Sequence, residues 1–497
     1  MNGSDNLRLT VKQIVQKSQT RIVRLLKITF ELMMSKQKVI AIFDIGKTNK
    51  KLFLFDENYK IVLERSNHLA EIVDEDGDAC ENLESLRSFV SNSFHEVLRL
   101  DKFDIKAINF SSYGASLVYL NTELRTFLPL YNYLKEYPES LKKQFYETYG
   151  GEEEFSFRTA SPVLGSLNSG MQLYRIKYEN PDLFNEIRYA LHLPQYLSYL
   201  ISSHICSDIT SIGCHTNLWD FHKNEYHYWV KQEGILEKLA PIAPCDEVMP
   251  TAFSGNSYSV GIGLHDSSAA LIPYLVNFHE PFILISTGTW CISLNPFNHS
   301  PLTKRELESD CLCYMTYKAE PVKASRLFAG NEHEQQVKRI SGHFNQNLSK
   351  YRTMDFKPEM IARLQKRNEP FKEAVQNKNI LKGSLFAERE LSGFANDDEA
   401  YHQLMLDIIA QQYVSTQLIL KGTDVKRIFV DGGFSNNVIY MNLLASVFPG
   451  VEVFAASMAQ ATAMGAALCI HESWNQKALP NEIIELKYFS SNHDLFK

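Results

Sequence analysis

Four short stretches hold residue types at spacings that could carry chemistry. The first is Asp44-Ile45-Gly46-Lys47-Thr48-Asn49-Lys50-Lys51, set between two apolar runs. Gly46 lets successive backbone N–H groups converge on one anion, and Thr48 and Asn49 add side-chain donors. Asp44, at a strand end beside them, suits a hydrated Mg²⁺ ion, which prefers carboxylate plus water. The second stretch, Ser286-Thr287-Gly288-Thr289, repeats the pattern of a glycine flanked by hydroxyls between apolar runs. Either alone could be an ordinary hairpin, because Asp, Gly, Thr and Asn are all turn residues. A pair of them, one at the entry of each half of the chain, suits a polyphosphate held across a cleft.

The third stretch is Asp431-Gly432-Gly433-Phe434-Ser435-Asn436, followed by the small-residue run Ala459-Gln460-Ala461-Thr462-Ala463-Met464-Gly465-Ala466-Ala467. Adjacent glycines at a strand end admit a flat ligand to the backbone, although tight helix–sheet packing would use the same residues with no ligand. The fourth, Gly261-Ile262-Gly263-Leu264-His265-Asp266-Ser267-Ser268, places an acid at the start of a helix. On these residues alone the plainer reading is that Asp266 caps the helix beginning at Ser267. The alternative is a general base, ionised at neutral pH, that accepts the proton of an attacking hydroxyl; His265 then reads as its support.

The elements that must position these stretches follow from apolar periodicity. Strands are expected over 38–44, 51–56, 60–66, 105–110 and 116–120, a helix over 83–98, and helical structure over 167–201. The second half opens the same way, with strands over 281–285 and 290–294. A helix over 400–420, a strand over 427–430, a helix over 437–447, a strand over 451–454 and a helix over 459–470 complete it. Duplicated strand–turn–strand entries, each feeding strands and helices, indicate two α/β domains facing one another.

Composition excludes several classes. A net charge of −7 over 497 residues gives no basic footprint for nucleic acid. No apolar run approaches the roughly eighteen residues a membrane span needs. The eight cysteines form no CxxC pair, which fits a cytoplasmic thiol-bearing protein better than a disulfide or zinc scaffold. The acidic turn Asp74-Glu75-Asp76-Gly77-Asp78 has the wrong spacing for a calcium loop. His333-Glu334 fails as a zinc-protease motif, because Val337 stands where its second histidine belongs. Residues 1–37 carry seven basic and two acidic side chains; a targeting or membrane-surface helix is conceivable, and the favoured reading is an extension upstream of a natural start at Met33 or Met34.

Taken together and in this order, the four stretches resemble the FGGY carbohydrate kinases of the actin-like ATPase superfamily, over about Val39 to Ile470. The resemblance implies an α/β fold of two ribonuclease-H-like domains facing an interdomain cleft. Residues 1–37 would lie outside the core. Residues 38–274 would hold the sugar site, the first phosphate loop and the catalytic acid, and residues 275–497 the second phosphate loop and the adenosine site. It implies ATP and Mg²⁺ as cofactors, with Asp44 at the metal. Phosphate contacts would come from Gly46, Lys47, Thr48, Asn49 and Lys51 and from Thr287, Gly288 and Thr289. Adenosine contacts would come from Gly432, Gly433, Asn436 and Gln460, and Asp266 becomes the catalytic base. Two positions depart from the family pattern: Lys47 stands where threonine is usual, and Gln460 where glutamate is frequent.

For the acceptor, the resemblance directs attention to the segment after the 105–110 strand. Tyr113, Gly114, Tyr131, Asn132 and Asn168, with Asp266, are the expected sugar contacts. The Gln-Arg-Glu run of glycerol kinases is absent there, and Asn331-Glu332 is reminiscent of rhamnulose-type kinases. The implied activity is ATP-dependent phosphorylation of a hydroxyl of a small ketose in carbohydrate catabolism. A deoxy-ketohexose such as rhamnulose or fuculose, or a pentulose such as xylulose or ribulose, is the expected substrate. The implied partner is that small molecule, with no nucleic acid and no membrane, and the family pattern leaves room for a homodimer. The alternatives are a catalytically silent sugar sensor, against which the presence of Asp266 counts, and a nucleotide-hydrolysing member of the superfamily.

Overall fold

The computed structural model describes residues 36–253, 255–367, 371–377, 379–458, 460–480, 483–492 and 495–496. The extension expected over 1–37 therefore falls almost wholly outside the described residues, as does Ala459.

Runs that are apolar on both faces form the centre of each sheet. In the first, β1 (Gln37–Ile45), β2 (Lys50–Asp56) and β3 (Ile61–Asn67) form an antiparallel meander. After helix α1 (Leu83–Leu98), β4 (Phe103–Ser112) joins β1 in parallel, with Asp44 beside Ser111. The antiparallel pair β5 (Val248–Phe253) and β6 (Asn256–Gly261) follows, with β6 parallel to β4. The short β7 (Leu264–His265) lies along the end of β4 and leads directly into helix α2 (Asp266–Asn277). The order is β5-β6-β4-β1-β2-β3.

The second sheet repeats this plan. Its meander is β8 (Phe282–Thr287), β9 (Cys291–Asn295) and β11 (Pro321–Leu327), extended at the edge by β10 (Cys311–Met315). Helix α3 (Ala329–Phe344) leaves β11, and the long buried helix α4 (Asp397–Leu420) precedes β12 (Arg427–Gly432), which pairs in parallel with β8. Helix α5 (Val438–Val447), strand β13 (Glu452–Ser457) parallel to β12, helix α6 (Ala461–Cys469) and the antiparallel edge strand β14 (Glu485–Phe489) complete it. The order β10-β11-β9-β8-β12-β13-β14 is the first order with one strand added at the meander edge.

Helix periodicity over 167–201 resolves into three pieces, Ser169–Glu179, Pro181–Glu186 and Leu193–Ser202. Pro181 starts a helix well but cannot continue one. The strand Tyr189–His192 is inserted because it pairs with Leu117–Leu120, a partner far away in sequence.

Helices α2 and α6 lie between the two sheets and tie them together. Ala269 and Ile272 of α2 share a core with Ile40, Ile42 and Phe53 of the first sheet, whereas Leu271 and Tyr274 pack with Phe282, Leu284 and Phe429 of the second. Ala463, Ala466 and Ala467 of α6 join the first core although they come from the end of the chain. The two helices cross at Gly465, where a Cβ would stand 1.8 Å from the Ala269 carbonyl oxygen. Away from this crossing, the Cys313 N–H donates to the Ala160 carbonyl at 2.9 Å and Lys304 pairs with Glu153 at 2.7 Å. All eight cysteines are buried free thiols, and among the described residues no helix is long and apolar enough to cross a membrane.

Candidate active site

The two hairpins sit at corresponding strand ends. In the first, the Gly46 N–H donates to the Asn49 carbonyl at 2.9 Å, closing the turn and leaving Thr48 and Asn49 exposed. Lys47 Nζ reaches Glu71 at 2.6 Å, and Lys51 pairs with Glu64 at 3.1 Å. In the second hairpin the Gly288 N–H donates to the Trp290 carbonyl at 2.8 Å. The Thr287 hydroxyl is already engaged: it donates to the Asp431 carbonyl at 2.5 Å and accepts from the Phe434 N–H at 3.0 Å. Thr287 therefore clamps the hairpin to the end of β12, and Gly288 and Thr289 are the parts of the loop left to meet a ligand.

Two glycines make that clamp possible. Gly432, at φ +89°, has its missing Cβ position 2.0 Å from the Thr287 carbonyl oxygen. Gly330, at the start of α3, has its own 1.8 Å from the Gly288 carbonyl oxygen and 3.0 Å from that of Thr289. Sequence reasoning missed Gly330; its signal was the small pair Ala329-Gly330 at a strand-to-helix junction. Gly330→Ala must push backbone against backbone, so we expect the hairpin to move and, on the kinase reading that the resemblance implies, the Kd for ADP to rise about tenfold or more, a loss of about 1.4 kcal/mol per tenfold. Calorimetric titration with ADP checks this directly.

Beside this hairpin lies a cavity of about 690 Å³, lined on one side by Gly288 and Gly330 and on the other by Gly433, Phe434, Asn436 and Asn437. Its volume is in the range of sites for small organic ligands and cofactors, about 300–1,000 Å³. Of the residues expected at adenosine, Gly433 and Asn436 line it, whereas Gly432 and Gln460 lie outside the lining. Gln460 holds a left-handed conformation, φ 62°, at the N-cap of α6. The walls are preorganised: Tyr401 Oη joins His333 Nε2 at 3.0 Å and accepts from Asn437 Nδ2 at 2.7 Å, and Phe434 stacks on Tyr440 at 4.5 Å. Burial lowers the His333 pKa to about 4, so this histidine is a neutral wall.

Two carboxylates stand where the lobes meet. Asp44, at the end of β1, accepts from the Thr462 hydroxyl of α6 at 2.8 Å. Burial drives its pKa up to about 6; the Thr462 bond opposes this, the nearby Asp266 charge adds to it, and Lys51 opposes it. Asp266 is the first residue of α2, and His265 occupies the cap position, so the helix starts one residue earlier than expected and Asp266 is not its N-cap. Its Oδ1 accepts from the Ser267 N–H at 2.6 Å and lies 3.2 Å from His265 Nε2. The Asp266 side chain is 35% exposed, yet enough protein surrounds the carboxyl that burial lifts its pKa to about 6.

His265 supports Asp266 as a neutral ring. Burial lowers its pKa to about 4, it stacks on Tyr314 at 5.7 Å, and Nε2 lies 3.2 Å from Cys214 Sγ. Gly114 makes room for that ring, since a Cβ there would be 2.8 Å from it. Among the described residues no group of three or more His, Cys, Asp or Glu side chains forms a metal cage. Two desolvated acids in each other's field do fit Mg²⁺, which takes one or two carboxylates and keeps several waters.

Both acids titrate near pH 6, and a base works only when ionised. With Asp266 as the base that the resemblance implies, kcat/KM should fall about tenfold per pH unit below about 6. A pH–rate profile from 5 to 8 checks this expectation; a flat acidic limb contradicts it.

On the acceptor side the structure sorts the expected residues. Asn168 uses its whole amide internally: Nδ2 donates to Ser161 Oγ at 3.0 Å and to the His215 carbonyl at 2.8 Å, and Oδ1 accepts from the Leu164 N–H at 2.7 Å. Asn132 is a turn residue, donating to the Ala79 carbonyl at 3.1 Å and accepting from the Leu134 N–H at 3.0 Å. Tyr131 donates to Glu75 at 2.5 Å, and it and Asn132 line a separate cavity of about 250 Å³ with Ser166, Gln172 and Arg175. Tyr113 is buried and donates to Glu81 at 3.1 Å. Burial raises the Tyr133 phenol pKa, with Lys47 opposing and the Asp266 charge adding, and Tyr314, which stacks on His265, also lies within reach of that charge. Two tyrosines flank Asn132, and no local periodicity in this irregular segment distinguishes them.

Known proteins bear on this arrangement. Residues 39–263 match the N-terminal domain of the FGGY family of carbohydrate kinases, and residues 279–478 match the C-terminal domain of carbohydrate kinase FGGY. A rhamnulokinase of Mannheimia succiniciproducens is 20% identical over 274 residues, which is 51% of this chain and 52% of that protein, so the match spans about half of its length. The xylulose kinase structure from Lactobacillus acidophilus superposes with a TM-score of 0.73 at 17% identity, covering 92% of this chain and 94% of the other. The gluconate kinase structure from the same organism gives 0.75 at 17% identity, covering 93% and 95%. These likenesses show the fold, two facing domains of the ribonuclease-H-like, actin-like ATPase type. With its two halves matching the family's two domains in order, the chain belongs to the FGGY family of carbohydrate kinases.

Proposed function

We propose that this protein transfers the γ-phosphoryl group of ATP to a hydroxyl of a small ketose, with Asp266 as general base. The observation that carries the reading is the Asp266 carboxyl at the start of α2, 35% exposed, with its pKa raised to about 6 by burial and its charge felt by Asp44. Phosphoryl transfer passes through a loose transition state that needs positioning and charge neutralisation more than covalent help. The nucleoside would occupy the cavity beside Gly433 and Asn436, and its phosphates would reach past Gly288 and Thr289 toward Gly46, Thr48 and Asn49. Asp266 takes the acceptor's O–H proton as the new O–P bond forms and the bond from γ-phosphorus to the bridging oxygen breaks, releasing ADP. Mg²⁺ at Asp44 would supply charge neutralisation on the triphosphate.

The acceptor class rests on the family and on absences in the chain. The rhamnulokinase and xylulose kinase likenesses support a deoxy-ketohexose or a pentulose, and the missing Gln-Arg-Glu run counts against glycerol. Tyr133 offers an apolar ring face and a phenol near Asp266, a combination suited to a sugar. The division of labour follows the two sheets, with acceptor and first hairpin in 38–274 and nucleotide and second hairpin in 275–497. A coupled ADP-release assay with rhamnulose, fuculose, xylulose, ribulose and glycerol tests the reading. ADP release that depends on one ketose supports it, and release indifferent to every ketose overturns it in favour of a nucleotide hydrolase.

A further inference from the structure

Lys50 is a lysine inside the protein. Its side chain is 2% exposed and that of its partner Glu81 is 3% exposed, with Nζ 2.9 Å from Glu81 Oε2. The same ammonium donates to the Lys47 carbonyl at 2.9 Å, a backbone atom of the first hairpin. Glu81 Oε2 also accepts from the Tyr113 hydroxyl at 3.1 Å, and the Glu81 backbone bridges Leu130. Tyr113 follows β4, with its N–H on the Ile45 carbonyl at 3.2 Å, and its ring lies 6.1 Å from Tyr133. One carboxylate thus connects the hairpin after Asp44, the turn after β4 and, through the Tyr113 ring, the segment that carries Tyr133.

A buried ion pair is a poor device for stability, because removing two charges from water offsets most of their attraction and an apolar pair of similar volume often serves the fold as well or better. What such a pair does supply is direction, since three hydrogen bonds to named atoms fix three loops in one arrangement. We propose that Lys50, Glu81 and Tyr113 form a positioning relay that sets the first phosphate hairpin and the acceptor-side loops in a fixed mutual relation before substrates bind. This deepens the kinase reading and rests on it for its catalytic consequence. The hairpin that would hold the nucleotide tail and the tyrosine that would face the acceptor are then aligned by the same buried acid.

The test uses the full chain in two variants, Lys50→Met/Glu81→Leu, which replaces the pair by apolar volume, and Tyr113→Phe, which deletes one hydroxyl. In hydrogen–deuterium exchange on the free protein, the relay predicts faster exchange at both the Gly46 and the Tyr113 amides in each variant, with melting temperature near that of the wild type. It also predicts that the double variant loses about 10- to 100-fold in kcat, as expected when reacting groups are misplaced by about an ångström, with a smaller change in KM for the acceptor. Wild-type exchange at both amides, or acceleration confined to the loop nearest the mutation, overturns the relay. If the double variant does not fold, Tyr113→Phe decides, because its hydroxyl touches the hairpin only through Glu81 and Lys50. If the wild-type protein phosphorylates no ketose, the kinase reading fails while the exchange comparison still decides the relay.

Discussion

Asp266→Asn is expected to lower kcat by about 10²–10⁴-fold, the usual contribution of a positioned general base, while the protein folds and binds nucleotide as before. Asparagine has the same shape and keeps an oxygen to accept the Ser267 N–H, now at 2.6 Å. The cavity proposed for the nucleotide is lined by Gly288, Gly330, Gly433 and Asn436, none of which hydrogen-bonds Asp266. Stability moves in an informative direction. The folded pKa of Asp266, about 6, lies above the ordinary aspartate value of 3.8, so its stabilising contribution is complete below 3.8 and lost as pH rises through about 6. At pH 7 the ionised acid weakens the fold, and the asparagine variant should melt at or above the wild-type temperature. A variant that melts lower and has lost activity would instead mark Asp266 as a structural residue.

The second large effect is expected at the crossing of α2 and α6. Gly465→Ala puts a methyl carbon where the Ala269 carbonyl oxygen would be 1.8 Å away, the carbonyl carbon 2.6 Å away and Cα 3.2 Å away. All three are backbone atoms of a helix, so relief requires one helix to slide against the other. Overpacking of this kind costs about 1–3 kcal/mol and occasionally more. The functional loss should exceed what that stability change explains, because α6 begins at the residue before Thr462, whose hydroxyl holds Asp44 at 2.8 Å, and α2 begins at Asp266. Sliding the helices therefore displaces Asp266 together with the hydroxyl that holds Asp44. We expect a reduced melting temperature and a fall in kcat of about 10²-fold in the protein that remains folded, by the same misplacement argument. Thermal melting and steady-state kinetics on one preparation separate the two effects; wild-type kcat would show that the crossing is packing alone.

How much of this was legible in the sequence differs by kind of residue. Strand cores such as Val39–Phe43 and Ile283–Ile285 are apolar on both faces, so their assignment needed only local pattern. The hairpin glycines and the strand-end position of Asp44 were legible because turn chemistry and spacing are local too, whereas Asp266 read on its residues alone as a helix cap and is the first residue of the helix. What escaped depended on contacts between distant segments. Gly330 is required by Gly288, Gly465 by Ala269, and the amide of Asn168 is used up by Ser161, His215 and Leu164. Tyr131 is held by Glu75 and Lys135, and the backbone before it by the Glu81 bridge to Leu130, partners that lie far away in sequence. The split of the 167–201 helix followed from a strand partner that no local period encodes. Lys50 read as one more basic residue of a phosphate loop, and only its burial against Glu81 shows that it faces the interior.

Tracing label from the γ-phosphate of ATP tests the central claim most directly. With the active ketose present, the account predicts that label appears on the sugar in one-to-one ratio with ADP, and that Asp266→Asn slows this transfer by about 10²–10⁴-fold without weakening ADP binding. Label released as inorganic phosphate at a rate indifferent to the ketose, or transferred to the sugar undiminished by Asp266→Asn, would contradict it.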